Sequence, residues 1–393
     1  MVKMGKRIVI INSCDVVKQK QKGCNGVAVP SMQMGNTNRD RVFGVLDFLI
    51  SNLVIGPFVV FYWRGTWELL DMHLLPESPK LSNWVSLIIG VVIGVASGLL
   101  QSAFCRVSLR FSPAVFVIFS RVYGYVLAFG VVNHWRGVWL LLNAYTGNSW
   151  LSPMLCFVIG SGLLFAFRSY RNVLTPPVVV GLDIFPETYF TISTRFKQKA
   201  IGHQFVLDLL FSVLVIASLV VVVWRGLWEL LNIYLSPDDV VISGCYSLAI
   251  GYVLVCLLAL GQRPLKAICR KLGDATTIGK VVFEDFVYLL YATVAITHWR
   301  GFWLIADELI FPTSQNLSLW LTHSAGFGGL MLMFVSNSAM SRGCVFDGDL
   351  KDGAEVTMDI SYLTYMISWC KHSNSKEIPG MEAVEENCES TKV

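Results

Sequence analysis

Eight apolar segments, each long enough to cross a bilayer, constrain the fold of this chain more than any other feature of its sequence. They cover residues 42–62, 83–105, 113–134, 150–168, 205–223, 243–262, 281–298 and 318–339. A crossing segment needs roughly 20 apolar residues, and it must be helical because an open strand edge leaves backbone groups unpaired in hydrocarbon. Only 15% of the residues are charged, against about 25% in soluble domains. The sequence therefore predicts an all-α polytopic membrane protein, a bundle of eight transmembrane helices.

Basic residues are distributed unequally between the two sets of loops. The two tails and the loops after the second, fourth and sixth segments hold 25 Lys and Arg residues, counting Arg168 at the end of the fourth segment, whereas the other loops hold five. Cytoplasmic loops carry the excess of Lys and Arg, so both termini are expected in the cytosol. The stretch before the first segment lacks a short apolar core followed by a small-residue cleavage site, so the first segment is expected to act as the insertion signal. One glycosylation sequon, at Asn316, falls on the outer side, but its closeness to the last segment leaves its use open.

A nine-residue motif recurs at the outer end of every odd-numbered segment. It reads WRGTWELLD, WRGVWLLLN, WRGLWELLN and WRGFWLIAD, and each copy is W-R-G-x-W with Asp or Asn eight positions after the first Trp. The motif residues are Trp63, Arg64, Gly65, Trp67 and Asp71, then Trp135, Arg136, Gly137, Trp139 and Asn143, then Trp224, Arg225, Gly226, Trp228 and Asn232, and finally Trp299, Arg300, Gly301, Trp303 and Asp307. Such fixed recurrence indicates an internal repeat.

The copies fall into two kinds, which indicates that the chain arose by two duplications. Copies one and three read WELL, whereas copies two and four are preceded by His. Two parallel four-helix repeats are therefore predicted, because four spans return the chain to the same side of the membrane. The predicted organisation is a basic cytosolic tail over 1–41, a first repeat over 42–168, a cytosolic linker over 169–204, a second repeat over 205–339 and a cytosolic tail over 340–393.

The fourfold W-R-G-x-W motif, the eight apolar segments and the expected cytosolic tails resemble the Fuseless family of invertebrate membrane proteins. The resemblance covers roughly residues 40–345. It implies a multi-pass protein of neuronal, presynaptic plasma membranes that supports synaptic transmission, without an established enzymatic activity. It supplies no ligand-binding positions, so every candidate site rests on the residues of this chain.

Three interpretations of the motif remain open. The first is an interfacial anchor at the membrane surface, since Trp favours the headgroup level and Arg extends to it from helix ends. The second is a structural lock in which four Arg and eight Trp interdigitate through cation–π and Asp/Asn contacts. If the helix continues through the motif, Arg64 shares a face with Glu68 and Asp71, and Arg225 with Glu229. The third is an outer vestibule whose arginines attract an anion or an acidic partner.

Each odd-numbered span contributes one charged residue at a similar depth, namely Asp47, Arg121, Asp208 and Asp285, and Glu284 lies next to this layer. At 1.5 Å per residue, all four lie about 21–24 Å from the motif and form one layer. A structural interpretation is an Asp47–Arg121 ion pair that orients the helices. A functional interpretation is that Asp208 and Asp285 share a proton or bind a cation.

Two classes of function follow from these features. The first is a non-enzymatic membrane organiser that assists channels or the vesicle-release machinery. The alternative is a transporter or channel for a small ion or solute that uses Asp208 and Asp285. Phosphate-loop, nucleophile-elbow and zinc-type motifs do not occur in the sequence, so no enzyme, cofactor or metal is expected. Nucleic acid is not expected either, because the net charge of +4 is small. The lipid bilayer and one or more membrane proteins are the expected partners, with the oligomeric state open.

Overall fold

The regular secondary structure of this protein is α-helical, as predicted. The computed structural model describes residues 38–147, 149–183, 189–198, 202–340, 356–358 and 360–367. In chain order the helices are α1 (Asn38–Ile50, a π-helical turn Ser51–Ile55, and Gly56–His73), α2 (Pro79–Ser108), α3 (Pro113–Thr146), α4 (Leu151–Ala166), α5 (His203–Phe211, a π-helical turn Ser212–Ile216, and Ala217–Tyr234), α6 (Val240–Ala275), α7 (Thr277–Leu309) and α8 (Gln315–Leu332). Each of the eight apolar segments coincides with one of them.

Six of the helices, all except α4 and α8, are long and apolar enough to cross a membrane. The shorter α4 has 16 residues and α8 has 18. Both end early because a residue in the left-handed conformation follows, Arg168 with φ 54° and Phe334 with φ 57°. The chain then continues through the 3-10 turns Tyr170–Val173 and Ser336–Ala339. The predicted eight spans thus correspond to six long apolar helices and two shorter ones.

The helices pack in a repeating order around the four that carry the motif. The even-numbered helices pack most closely on the odd-numbered helix that follows them, so that α2 lies on α3, α4 on α5 and α6 on α7. The last helix, α8, packs on α1 and closes the circle. The repeated unit in space is therefore an even helix with the next odd helix.

Two segments outside the eight α-helices, which we call the inserted segments, fill the interior of the bundle. The segment after α4 buries Val173, Leu174 and Val178, and the segment after α8 buries Val335 and Ala339. The start of the predicted linker is therefore part of the core. Its apolar sequence, VLTPPVVV over 173–180, explains why it leaves water.

Candidate functional site

The first Trp of each motif copy belongs to a closed ring of four indoles. Their ring centroids lie 5.0 Å apart for Trp63 and Trp135, 5.3 Å for Trp135 and Trp224, 5.1 Å for Trp224 and Trp299, and 5.2 Å for Trp299 and Trp63. All four contacts are edge-to-face, the geometry in which the positive edge of one ring meets the negative face of the next. All four indoles are buried. This inner ring joins α1, α3, α5 and α7.

A second, outer ring is formed by the other motif tryptophans, one helical turn further along. Its centroid separations are 5.9 Å for Trp67–Trp139, Trp139–Trp228 and Trp228–Trp303, and 6.1 Å for Trp303–Trp67. These contacts are also edge-to-face. The spacing of four residues in W-R-G-x-W places both rings on the same face of each helix, because the helices continue through the motif.

The indole N–H groups of the inner ring fasten the inserted segments. Trp63 donates to the carbonyl of Ala339 (2.8 Å) and Trp224 to that of Val173 (3.0 Å). Trp299 donates to the carbonyl of Pro176 (2.8 Å). The indole N–H of Trp135 has no acceptor within the described ranges. Three of the four inner-ring indoles thus donate to backbone carbonyl groups that lie in the core.

The motif arginines form a cycle with the Asp or Asn of a neighbouring copy. The Nε–H groups donate from Arg64 to Asp307 (2.5 Å), from Arg136 to Asp71 (2.8 Å), from Arg225 to Asn143 (2.7 Å) and from Arg300 to Asn232 (2.9 Å). Each acceptor belongs to the preceding copy in the ring, and Arg64 of the first copy binds the acceptor of the last. Four helices are thereby linked head to tail.

Arg64 and Asp71 of its own copy share a helix face, but Arg64 donates to Asp307. Asp71 instead accepts from Arg136. Seven residues span about 10 Å along a helix, so sharing a face does not bring the two side chains into contact. Glu229, four residues after Arg225, accepts from the Trp139 indole (3.3 Å).

The even helices complete each arginine site with small polar side chains. Guanidinium N–H groups donate to Ser318 and Thr322 from Arg64, to Ser82 and Ser86 from Arg136, to Ser152 and Cys156 from Arg225, and to Ser243 and Ser247 from Arg300. The sequence signal for these partners is a second fourfold pattern, S-x-x-x-[SCT]-x-x-x-G, in the even segments. The sequence analysis did not identify this pattern, because Ser, Thr, Cys and Gly also occur in ordinary close packing of membrane helices.

Motif glycines let the even helices come close enough for these bonds. A Cβ placed on Gly65, Gly137 or Gly226 would lie 2.5–2.6 Å from a backbone nitrogen of α8, α2 or α4. A Cβ on Gly301 would lie 2.6 Å from the Leu248 side chain. The glycine therefore sets the distance between the two helices of each unit, as small residues do in membrane helix packing.

Carboxylates accompany the arginines of this layer. Asp71 and Asp307 belong to the motif, and Glu68 and Glu229 each follow an outer tryptophan. Glu68 accepts a hydrogen bond from Trp303, and Glu229 accepts one from Asn232 (3.0 Å). Because buried guanidinium groups are costly without partners, a carboxylate or amide acceptor at every junction is what makes the layer stable. We call the two indole rings, the four arginines and their acceptors the belt.

The four belt arginines are at most 3% exposed, so they do not extend separately toward headgroups. The interfacial interpretation applies to other tryptophans: Trp84, Trp150 and Trp320 are 45–55% exposed. The lock interpretation matches the arginine geometry, with one correction. Its chemistry is arginine–acceptor and indole–indole contact, and among the described residues the cation–π pairs are Lys80 with Tyr145 and Arg121 with Phe334.

The expected Asp47–Arg121 ion pair is also wrong. Arg121 pairs with Asp183, which lies in the segment after α4. Asp183 additionally accepts from the Ser336 backbone N–H (2.7 Å) and the Asn337 backbone N–H (2.8 Å). Burial raises the pKa of Asp183, while Arg121 and these donors oppose the rise. This cluster joins the two inserted segments, a contact that hydropathy does not reveal.

Two other residues of the charged layer, Asp208 and Asp47, accept hydrogen bonds from backbone N–H groups outside the spans. Asp208 accepts from the Thr194 hydroxyl (2.6 Å) and from the backbone N–H groups of Phe196 (3.0 Å) and Gln198 (3.2 Å). Asp47 accepts from the Leu363 N–H (2.6 Å). Asp285 lies near the Tyr170 phenol. Among the described residues, no group of three or more His, Cys, Asp or Glu side chains is placed to hold a metal ion.

Comparison with known proteins identifies the family. A model of the Fuseless family matches residues 42–340. No curated protein and no solved structure matches the chain. Because the family match covers most of the chain, the chain belongs to the Fuseless family.

Proposed function

We propose that this member of the Fuseless family is a non-enzymatic organiser in the presynaptic plasma membrane, which holds channels or vesicle-release machinery in place and so supports synaptic transmission. The synaptic and neuronal part of the proposal rests on the family resemblance. The mechanical part rests on the belt. The partner in this view is another membrane protein that binds a rigid bundle.

The proposed topology has eight spans in two parallel four-helix repeats, with both termini in the cytosol. The excess of Lys and Arg in the tails and in alternate loops supports this orientation. The two shorter helices support the repeat, because α4 and α8 end in the same way and each is followed by an inserted 3-10 turn.

The observation that carries the organiser role is the filled axis of the bundle. Two indole rings close the centre at the motif end, and the inserted segments fill the space beneath the inner ring. An aqueous route for a solute requires polar, hydrated walls along the axis. Interlocked aromatic rings and a cycle of buried hydrogen bonds resist the rocking movements on which alternating access depends. Rigidity of this kind suits a scaffold.

One observation favours the alternative of a transporter or channel. Both α1 and α5 carry a π-helical turn, Ser51–Ile55 and Ser212–Ile216, at the same distance before the first Trp of their motif copies. Such turns are frequent at functional sites. Asp208, one of the carboxylates proposed for transport, accepts hydrogen bonds from the linker backbone through both of its oxygens. A carboxylate used in this way has a structural, capping role.

The two functions are separated by rescue in neurons that lack the protein. Wild-type chain and the double variant Asp208→Asn, Asp285→Asn are expressed at matched surface levels, and evoked release and channel density at release sites are recorded. Asn retains an oxygen to accept from the loop, so folding is expected to survive. An organiser predicts rescue by both chains. A transporter predicts that only the wild type rescues, together with solute flux in reconstituted liposomes, and that result would refute the organiser.

A further inference from the structure

The end of the α6–α7 hairpin that lies opposite to the belt carries a local excess of positive charge. Over residues 263–280 the chain has five basic residues against one Asp, a net charge of +4. The whole chain also has a net charge of +4, so the remaining residues together are neutral. The charged residues of this stretch are Arg263, Lys266, Arg270, Lys271, Asp274 and Lys280.

Three of these basic side chains are free to bind a ligand. Arg263, Arg270 and Lys271 are exposed, and within the part of the chain that the structure describes none of them forms an ion pair. Asp274 lies one turn beyond Arg270, but the two do not pair. Lys280, in contrast, lies 3.7 Å from Glu284.

The helix arranges the three side chains in a row. Helix α6 continues to Ala275, so Arg263 and Arg270 are two turns apart on the same side, about 10 Å along the axis. Lys271 follows Arg270 directly and extends the row to about 12 Å. The neighbouring Cys269 is 1% exposed and marks the side of α6 that packs on the bundle. The row therefore faces away from the protein.

The position of the row along α6 places it at the membrane surface. Ser243, at the other end of α6, accepts a hydrogen bond from the belt residue Arg300 (2.7 Å). Arg263 follows Ser243 by 20 residues, or about 30 Å of helix, which is the thickness of the hydrocarbon core. The row thus begins where the hydrocarbon ends and continues through the level of the lipid headgroups.

Exposed apolar side chains surround the row. Leu260 is 82% exposed on the hydrocarbon side of Arg263, and Ile268 is 42% exposed between the basic residues. Ile278, in the first turn of α7, is 78% exposed. Basic and large apolar side chains on one surface are typical of helices that lie at a membrane interface. A soluble acidic protein would match the cations but leave these apolar side chains in water.

We propose that this side of α6, from Leu260 to Lys271, binds the headgroup of a multiply phosphorylated anionic lipid. The guanidinium groups of Arg263 and Arg270 donate to phosphate oxygens, for which their planar geometry is suited. Lys271 adds a third positive charge, and the acyl chains lie along Leu260. The proposal rests on the proposed topology, because anionic lipids are concentrated in the cytoplasmic leaflet.

Native mass spectrometry of the full chain in neutral detergent tests this site. Phosphatidylinositol bisphosphate is expected to bind saturably, and at least about tenfold more tightly than phosphatidylcholine with the same acyl chains. Each basic residue near an anionic headgroup contributes about fivefold in affinity. The double variant Arg263→Gln, Arg270→Gln is therefore expected to bind the anionic lipid about 30-fold more weakly. No preference over phosphatidylcholine, or an unchanged affinity in this variant, would overturn the proposal.

A matched variant separates a site on α6 from a general attraction of anionic lipid to the protein. Arg106 and Arg110, at the end of α2, are also exposed, and Arg106→Gln, Arg110→Gln removes the same number of charges. Its affinity for the lipid is expected to stay within about twofold of the wild type, since it leaves the row on α6 intact. Equal weakening by the two double variants would contradict the assignment.

Two further measurements complete the test. Arg263→Lys, Arg270→Lys keeps the charge and is expected to lose less affinity than the Gln variant, with thermal unfolding confirming that each variant folds. A soluble polyglutamate peptide is expected not to displace the lipid; displacement at similar concentration would assign the row to an acidic protein and refute the lipid site. Detergent leaves both ends of the bundle accessible, so these outcomes do not depend on the topology. The organiser role is tested separately by the rescue experiment.

Discussion

Replacing Gly226 by Ala tests the close approach of the helices directly. The added Cβ would lie 2.5 Å from the Phe157 backbone N, whereas ordinary contact begins at 3.4 Å. Helix α4 must therefore move by about 1 Å, since packed backbones do not compress. This movement stretches the bonds from Arg225 to Ser152 and Cys156, both 3.2 Å long. Overpacking costs about 1–3 kcal/mol, and one lost bond from a charged donor about 1.5–3 kcal/mol.

Alanine returns about 1 kcal/mol through its greater helix propensity. The net loss in the free energy of unfolding is therefore about 1.5–5 kcal/mol. Equilibrium unfolding in detergent measures it, with Gly162→Ala as the matched control on α4. No atom lies within 4 Å of a Cβ at Gly162, so this variant is expected to be as stable as the wild type or slightly more so. If the free energy of unfolding of Gly226→Ala lies within about 0.5 kcal/mol of that of the control, the close approach of the two helices does not constrain the bundle.

Three further predictions concern single groups of the belt and its loops. Trp224→Phe should lower the free energy of unfolding by about 1 kcal/mol more than Trp135→Phe, because of these two only Trp224 donates its indole N–H to a described carbonyl; equal losses would contradict this difference. Leu75→Gly should raise the melting temperature, since Leu75 has a φ of 51° and left-handed backbone costs a residue with a Cβ about 1–2 kcal/mol; a lowered value would show that the side chain matters more. Asn232→Ala should lower the free energy of unfolding by about 1.5–3 kcal/mol, because it removes both the acceptor of Arg300 (2.9 Å) and the donor to Glu229 (3.0 Å), and an unchanged stability would contradict these contacts.

Hydropathy was sufficient to locate the eight helices of the bundle, which fit a multi-pass membrane protein. The length of an apolar segment is set by the bilayer and the backbone must be helical within it, so these features depend on local sequence alone. The ends of α4 and α8 were harder to predict. They depend on single residues, Arg168 and Phe334, whose left-handed backbone no composition signal marks.

The recurrence of the motif identified all of its belt residues, but not their partners. Which acceptor an arginine finds depends on the order of helices around the ring, and sequence periodicity describes only one helix at a time. The apolar stretch at 173–180 was likewise assigned to a loop because it is too short to cross a bilayer. An apolar loop that is too short to span the bilayer is therefore the sequence signal of an inserted segment.

Double-mutant cycles at Asp71 test the central claim, that each arginine bonds the acceptor of the neighbouring motif copy. One cycle combines Asp71→Ala with Arg136→Ala, and the other combines Asp71→Ala with Arg64→Ala, with the free energy of unfolding measured for every variant. The belt predicts a coupling of about 1.5–3 kcal/mol between Asp71 and Arg136, whose atoms are 2.8 Å apart, and less than about 0.5 kcal/mol between Asp71 and Arg64. A larger coupling within the single copy, between Asp71 and Arg64, would contradict the cyclic arrangement.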